Sequence, residues 1–248
     1  MSFSLKNITQ LTAVFTTMTI TGSIALLLRI LSFGYLTDFN RRYFIPWSSR
    51  CTLTLAGMRL VLPEKRALPE GNYFITFNHN SYLDIFALTA LGYTHTHFLL
   101  SEKTLKIFPL TLSALSIGIL YIPEKKHKVR RLRFFERLEQ KINTEKVSIA
   151  GSSEGVHDHH HGIDKFNRGV YHMATVCRLN IIPLFINVPK ESNPFNKYKS
   201  FKRGTLQVEI LGIIDTKHWR LEDLDANKEM VREIYVKKFN EVHKMEVV

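Results

Sequence analysis

A histidine and an aspartate, His79 and Asp84, stand five positions apart where an apolar run ends and an amphipathic run begins. This spacing allows a carboxylate in the first turn of a helix to fold back on an imidazole at the end of a strand. A hydrogen bond between the two groups would fix the tautomer of the ring and stabilise its protonated form. The pair therefore predicts a general base that works near neutral pH, although a structural histidine at a helix start would show the same spacing.

The rest of the chain alternates between strand-like and helix-like segments. Short apolar or β-branched runs bounded by turn residues predict strands at 72–77, 95–100, 118–122, 147–150, 181–188 and 206–214. Helical periodicity predicts helices at 82–91, 105–115, 129–142 and 169–178, with a charged outer helix at 221–244. We therefore expect an α/β fold whose largely parallel sheet is flanked by helices, with His79 at the carboxyl end of a strand, where ligands bind in such sheets.

The N-terminal segment is apolar and uncharged from residue 7 to residue 28. As a helix it is long enough to span a bilayer, but its threonines lower its hydropathy, so a helical hairpin embedded in one leaflet is the alternative. A buried helix of a soluble protein or a signal peptide are further alternatives. Several arginines follow this segment and a single lysine precedes it, which predicts a membrane protein whose catalytic domain lies on the cytoplasmic face. The predicted division is a membrane-associating segment at 1–50 and a catalytic domain at 51–248.

Composition restricts the partners. The formal net charge of +12 favours an anionic partner, and two cysteines distant in sequence do not form a disulfide framework. The basic run at 125–137 contains apolar residues at helical spacing, including Val129, Leu132 and Leu138, which predicts a helix with its apolar side toward the core. Because the chain also has an apolar N-terminus, we expect an anionic bilayer surface as partner and not nucleic acid.

Five sequence blocks resemble the glycerolipid acyltransferase family, whose best-known members are lysophosphatidic acid acyltransferases. NHNSYLD, preceded by LPEGNYFITF, is similar to the first family motif. SEKTLKIFP and IGILYIPE are similar to its lysine-containing segment and second block. SSEGVHDHHHGIDKFNRG stands where the family has Phe-Pro-Glu-Gly-Thr-Arg-Ser followed by Phe-Lys-x-Gly, and NIIPLFINV resembles the fourth block. The blocks occur in the family's order between residues 57 and 214.

This resemblance implies a membrane-associated O-acyltransferase of phospholipid synthesis. The enzyme would move a fatty acyl group from acyl-CoA or acyl carrier protein to the free hydroxyl of a lysolipid acceptor, 1-acyl-glycerol-3-phosphate, without a cofactor. The family's motifs assign the catalytic roles to His79 and Asp84. The substrate-binding residues that the resemblance implies are Asn78, Ser81, Lys103, Glu154, Gly155, His157 and Arg168.

Two departures from the family pattern leave an alternative open. His157 stands where the family has arginine, and Glu124 ends the second block where arginine is usual. A neutral histidine cannot hold a phosphate as a guanidinium does, so a different lysolipid acceptor, or lipid binding without efficient catalysis, is the competing hypothesis. The histidines at 157 and 159–161 invite a metal site, but neighbours in sequence do not converge on one ion, so we expect a solvated loop and no metal.

Overall fold

The computed structural model describes residues 5–64, 71–155, 162–192 and 202–244, and in them seven strands form one twisted sheet. Their order across the sheet is β1-β7-β6-β2-β5-β3-β4. Strand β7 runs antiparallel to β6, and every other pairing is parallel. The strands are β1 (Met58–Val61), β2 (Tyr73–Phe77), β3 (Thr96–Ser101), β4 (Leu120–Ile122), β5 (Ser148–Ser152), β6 (Asn180–Asn187) and β7 (Gly204–Ile210).

Helices cover both faces of this sheet. The helices are α1 (Leu5–Leu31), α2 (Thr37–Phe39), α3 (Ile45–Leu55), α4 (Asp84–Ala90), α5 (Phe108–Ile117), α6 (Lys128–Glu145), α7 (Arg168–Val176) and α8 (Leu224–Lys244). One apolar core joins the sheet to α1, α3, α4 and α5. A second core joins the other face to α6, α7 and α8. The predicted α/β fold with a largely parallel sheet flanked by helices is therefore confirmed.

Most of the predicted elements have an observed counterpart. Helix α3 was not among the predicted helices, and the strand predicted at 206–214 ends at Ile210. Strand β1 was not predicted, because it has four residues and lies at an edge of the sheet. The predicted helix at 105–115 is interrupted: a 3₁₀ turn covers Glu102–Lys106, and α5 begins at Phe108. Pro109 explains the break, since a proline restricts the residue before it and fits the first turn of a helix.

The N-terminal segment folds as a helical hairpin. In α1 the stretch Asn7–Leu31 is long and apolar enough to cross a membrane, judged by length and composition. The chain then turns through α2 and a π-helical turn, Asn40–Phe44, and returns along α1 as α3. The hydroxyls of Thr21 and Ser48 lie 2.6 Å apart in the buried seam between α1 and α3. The hairpin is thus packed on the α/β body that follows it, and residue 50, the predicted domain boundary, falls inside α3.

The turn of this hairpin caps the carboxyl end of α5. Arg29 donates to the carbonyl of Leu115, and Nε of Arg41 donates to the carbonyl of Ile117 over 2.8 Å. The Leu115 carbonyl also accepts from the backbone N–H of Gly118, the residue that follows α5. Cations at this end of a helix satisfy its last carbonyls and interact favourably with the helix dipole. The hairpin and the sheet layer are therefore joined by polar contacts as well as by apolar packing.

The basic helix α6 differs from expectation in its first turns. Val129 and Leu132 are 63% and 62% exposed, whereas Leu138 and Ile142 are buried. The expectation that all the apolar residues of this run face the core was therefore wrong for the first two. The topology explains the difference, because α6 begins beside the edge strand β4 and reaches the interior of the sheet only on its way to β5.

His97 lies beside Arg41 and Gly118, at the carboxyl end of α5. Its protonation makes the free energy of unfolding depend on pH. Burial lowers the pKa of His97 below its usual 6.5, although a hydrogen bond to the Gly118 carbonyl opposes the shift. The unfolded chain then binds a proton more readily than the folded chain, so stability falls as the pH drops through about 6.5. We expect His97→Gln, whose amide can still donate to that carbonyl, to have a weaker acid dependence. Denaturant unfolding at about pH 7.5 and pH 5.5 measures this, and equal losses of stability in both proteins would contradict it.

Candidate active site

His79 and Asp84 meet at the carboxyl end of β2. His79 follows the strand by two residues, and Asp84 is the first residue of α4. Nδ1 of His79 lies 3.0 Å from Oδ2 of Asp84, and the side chains are 26% and 1% exposed, respectively. Because Nδ1 faces Asp84, a proton exchanged with a substrate would pass through Nε2. The sequence-predicted pair is therefore brought together as a partly exposed imidazole on a buried carboxylate.

The loop that carries this pair is held by Asn78 and Ser81, both of them buried. The Asn78 amide donates to the Ile186 carbonyl over 2.9 Å and accepts from the Ile186 N–H over 2.7 Å, which ties the end of β2 to β6. The backbone N–H of Ser81 donates to Oδ2 of Asp84, and its hydroxyl accepts from the N–H of Leu83. Both side chains thus shape the loop through backbone contacts. Direct contact of either with substrate stays a prediction.

Glu154 reaches the same loop from the neighbouring strand, β5. Its Oε1 accepts from the backbone N–H of His79 over 3.1 Å, and its Oε2 accepts from the N–H of Asp164 over 3.3 Å. Burial raises the pKa of Glu154, and the two N–H donors oppose that shift because they stabilise the charged form. The carboxylate therefore acts as a bridge between the loop after β2 and the segment that leads to α7.

Gly155 makes this bridge sterically possible. Its φ is +81°, a value that residues with a side chain rarely adopt. A Cβ at this position would lie 2.4 Å from Nδ2 of Asn167, which donates to the Glu154 carbonyl. Any larger residue would push Asn167 away and disturb the backbone of Glu154. The position thus requires glycine for structural reasons, and a contact of Gly155 with substrate stays a prediction.

Lys103 lies on the same edge of the sheet but at some distance from the histidine. It is exposed in the 3₁₀ turn after β3, and its backbone N–H donates to the Ser101 hydroxyl. Strand β5 separates β3 from β2, so two strand spacings of about 4.8 Å place the turn roughly 10 Å from His79 across the sheet. A long lysine side chain can extend along that edge toward a ligand beside the imidazole.

Arg168 and His157 complete the predicted set. Arg168 begins α7, where its Nε lies 3.4 Å from Oδ1 of Asp225, in an exposed ion pair at the start of α8. The structure thus turns Arg168 toward α8 and not toward His79. His157, with the other histidines of its run, lies outside the described residues. Within the described ranges, no three His, Cys, Asp or Glu side chains are grouped to hold a metal ion.

Two residues of the site escaped the sequence analysis. Glu102 accepts from the backbone N–H of Glu124 over 2.9 Å and from the Arg130 guanidinium over 3.0 Å, so it ties together the loops after β3 and β4. Asn167 supports the backbone of Glu154, as described above. Both stand beside residues that were singled out, Lys103 and Arg168. Their roles depend on partners distant in sequence. Asn167 alone stands at a recognisable position, because asparagine is common directly before a helix.

The backbone N–H groups of the loop after β2 are bound within the loop and its neighbouring strand. Backbone N–H groups at a helix N-terminus can stabilise a developing oxyanion. The N–H groups of His79, Ser81 and Leu83 instead donate to Glu154, Asp84 and the Ser81 hydroxyl, respectively. These three donors are committed to the loop. A partly exposed general base with an ionic partner is what the geometry provides.

Proteins of known name resemble the chain at low identity. The 1-acyl-sn-glycerol-3-phosphate acyltransferase alpha of Ovis aries is 22% identical over 174 residues, which cover 70% of this chain and 60% of that protein. The Homo sapiens protein of the same name is also 22% identical, over 70% of this chain and 61% of its own length. The putative 1-acyl-sn-glycerol-3-phosphate acyltransferase acl-2 of Caenorhabditis elegans is 21% identical, with coverage of 70% and 61%. The chain spans about 60% of the length of these curated relatives.

A solved structure and a family profile match most or more than half of the chain, respectively. The crystal structure of the 1-acyl-sn-glycerophosphate (LPA) acyltransferase PlsC from Thermotoga maritima superposes with a TM-score of 0.68 over 96% of this chain and 98% of that chain, at 16% sequence identity. The profile of the family named Acyltransferase matches residues 59–187, which is more than half of the chain and includes both His79 and Glu154. The chain belongs to the Acyltransferase family.

Proposed function

We propose that this protein is a membrane-associated O-acyltransferase of phospholipid synthesis. It would transfer a fatty acyl group from an acyl thioester, either acyl-CoA or acyl carrier protein, to the free hydroxyl of 1-acyl-glycerol-3-phosphate. The observation that carries the proposal is the 3.0 Å contact between Nδ1 of His79 and Asp84 at the carboxyl edge of the sheet, in a chain of the Acyltransferase family. The named relatives support the choice of acceptor.

The proposed chemistry needs no covalent enzyme intermediate. Nε2 of His79 takes the proton of the acceptor hydroxyl while that oxygen attacks the thioester carbonyl. Asp84 stabilises the imidazolium that forms and keeps Nε2 directed toward the substrate. When the tetrahedral intermediate collapses, the carbon–sulfur bond breaks and the imidazolium returns its proton to the leaving thiolate. The products are an ester and a free thiol, so the reaction requires no cofactor or metal.

The acceptor phosphate requires a cation, and we propose that Lys103 provides it. It is exposed on the active-site edge, and no carboxylate lies within ion-pair distance of it among the described residues. Arg168, the other candidate from the sequence, is paired with Asp225. A lysine forms a point-charge contact with phosphate and not the bidentate contact of an arginine. This assignment keeps 1-acyl-glycerol-3-phosphate as the acceptor even though His157 replaces the family's arginine.

Membrane association is supported by the outer surface of the hairpin. Side chains that face away from the protein along α1 include Ile20, Ile24, Leu27 and Leu31, all exposed. Phe33, Tyr35, Tyr43 and Trp47 are exposed around the hairpin turn and suit a membrane–water interface. The arginines that follow α1 favour a catalytic domain on the cytoplasmic face. We therefore propose that an anionic bilayer is the surface on which the lysolipid acceptor is met.

The first experiment tests the base. We expect His79→Ala to lower kcat by about a hundredfold to ten-thousandfold, since general base catalysis contributes that much. Asp84→Asn should have a similar effect, because an amide cannot stabilise the imidazolium. Turnover is measured with a labelled acyl donor and 1-acyl-glycerol-3-phosphate, followed by mass spectrometry of the lipid product. His172→Ala, which removes an exposed histidine of α7, is the matched control. Wild-type turnover in His79→Ala would refute the proposed mechanism.

A second experiment tests the acceptor phosphate. Lys103→Ala should lower kcat/KM about tenfold to a hundredfold for a phosphate-bearing acceptor, because a charge-assisted contact contributes roughly 1.5 to 3 kcal/mol. The loss should be much smaller for a lysolipid acceptor without a free phosphate. Arg168→Ala, which breaks only an exposed ion pair, serves as the charge-matched control and should cost little. Equal losses on both acceptors would assign Lys103 a structural role and favour a different headgroup.

A third experiment tests the membrane surface without disturbing the core. Ile20→Asn, Ile24→Asn and Leu27→Asn together should shift the protein from the membrane fraction to the soluble fraction, because each removes an outward apolar side chain. Substitution is preferable to deletion of α1, since Val14, Met18 and Ala25 of this helix are buried in the core. Fractionation at high salt, with circular dichroism as a check on folding, measures the effect. A folded triple variant that stays in the membrane fraction would place the anchor elsewhere.

A further inference from the structure

A second basic site lies on the active-site edge, away from the catalytic pair. Arg50, Arg59 and Arg203 line an open groove of about 780 Å³ beside the first residues of β1 and β7. All three side chains are exposed, and in the described part of the chain no carboxylate lies within ion-pair distance of them. The adjacent Lys202 differs, because it pairs with Glu191. Three cations that share a groove without a counter-charge repel one another, so the groove favours an anion.

The framework of this groove is built from several elements. Arg59 stands opposite Thr205 in the parallel pairing of β1 with β7, and the N–H of Gly204 donates to the Gly57 carbonyl over 3.3 Å. Arg50 comes from α3 and is fixed by a 3.0 Å hydrogen bond from its guanidinium to the Ala90 carbonyl at the end of α4. Two strands and two helices therefore hold the three arginines in place. Arg50 uses one N–H group in that contact and retains the others for a ligand.

The lining of the groove and its surroundings identify the class of anion. Met58, Leu60 and Leu62 supply the apolar part, and no aromatic side chain is among the described residues that line it. Gln10 of α1 approaches Gly57, so the start of the proposed membrane helix lies beside the groove. Aliphatic walls next to a membrane helix suit an amphiphile with a phosphate and acyl chains, whereas a nucleotide would gain little without an aromatic surface.

The groove is too distant to hold the phosphate of the reacting acceptor. Strands β6 and β7 lie between β2 and β1, so strand spacings of about 4.8 Å place Arg59 on β1 roughly 14 Å, and Arg203 just before β7 roughly 10 Å, from His79 across the sheet. In a glycerol phosphate the phosphate and the nearest free hydroxyl are only a few bonds apart. A phosphate held by the arginines therefore cannot present its own hydroxyl to the imidazole.

We propose that Arg50, Arg59 and Arg203 form a headgroup site for an intact anionic phospholipid of the bilayer. Such a lipid would dock the active-site edge against the membrane beside α1. The site goes beyond the proposed reaction and can be tested without it. Partition is measured in a His79→Ala background and without an acyl donor, so a result with vesicles does not depend on the assigned chemistry.

The test is partition of the purified protein between buffer and vesicles. The vesicles contain phosphatidylcholine alone or phosphatidylcholine mixed with phosphatidylglycerol. Arg59→Gln with Arg203→Gln should lower the partition coefficient on the mixed vesicles by about tenfold to thirtyfold, since each cation near an anionic surface contributes roughly fivefold. Binding to phosphatidylcholine alone should change little. Arg220→Gln with Lys237→Gln removes two exposed cations next to and along α8, neither of which lines the groove, and is the matched control.

A charge-preserving variant separates a site from diffuse attraction. Arg59→Lys with Arg203→Lys keeps the net charge but removes the forked donors that grip a phosphate, so we expect a several-fold loss on the mixed vesicles. Wild-type partition of this variant, or an equal loss in the Arg220 and Lys237 control, would overturn the proposal. Inorganic phosphate is tested alone by equilibrium dialysis. Phosphate binding that the Gln variant loses, with vesicle partition unchanged, would identify a site for small anions and also overturn the proposal.

Discussion

Burial of the Asp84 carboxylate beneath the ring of His79 is the constraint on which the site depends. A carboxylate that is 1% exposed is stable only if hydrogen bonds replace the water that it has lost. Oδ2 has two such donors, the imidazole and the N–H of Ser81, while Oδ1 has no hydrogen-bond partner among the described residues. The negative charge of Asp84 is therefore stabilised chiefly at Oδ2, the oxygen that faces the histidine. This asymmetry suits a carboxylate that would stabilise the imidazolium of His79 in the proposed reaction.

The neighbouring strands hold that loop from both sides. Asn78 binds both backbone groups of Ile186 on β6, and Glu154 accepts from the backbone of His79 on the side of β5. Since β2 lies between β5 and β6, the loop is fixed laterally in the plane of the sheet. In the proposed reaction, a rigid support of this kind would keep the ring at a constant distance from the acceptor hydroxyl, and small displacements of a catalytic group cost much of its rate. Glu154 thus helps to position His79 through its backbone N–H. This role does not require contact between Glu154 and the substrate.

The sequence was sufficient for the parts of this structure that depend on local patterns. The His79 and Asp84 pair lies within six residues, and the alternation of strands and helices has a strong periodicity, so both could be predicted. The pairing of Arg168 with Asp225 could not, because it joins residues on two different helices. The exposure of Val129 depends on where β4 lies in the strand order, which periodicity along one helix does not reveal. Contacts that depend on how the strands and helices are arranged in space could thus not be predicted from the sequence.

The moderate hydropathy of α1 follows from its two different faces. One face packs against α3 and α5, and the other is exposed. Thr21 directs its hydroxyl toward Ser48 in the buried seam with α3, and it also donates to the carbonyl of Thr17. Gly22 lets α5 approach closely, since a Cβ there would lie 2.9 Å from the Ser113 hydroxyl. Small and hydroxylated residues at a helix interface allow close packing, and they lower the average hydropathy of a helix without making its outer face polar. The threonines that made this segment ambiguous in the sequence are therefore explained in part by packing against the catalytic body, while the other face of the same helix keeps its apolar side chains exposed.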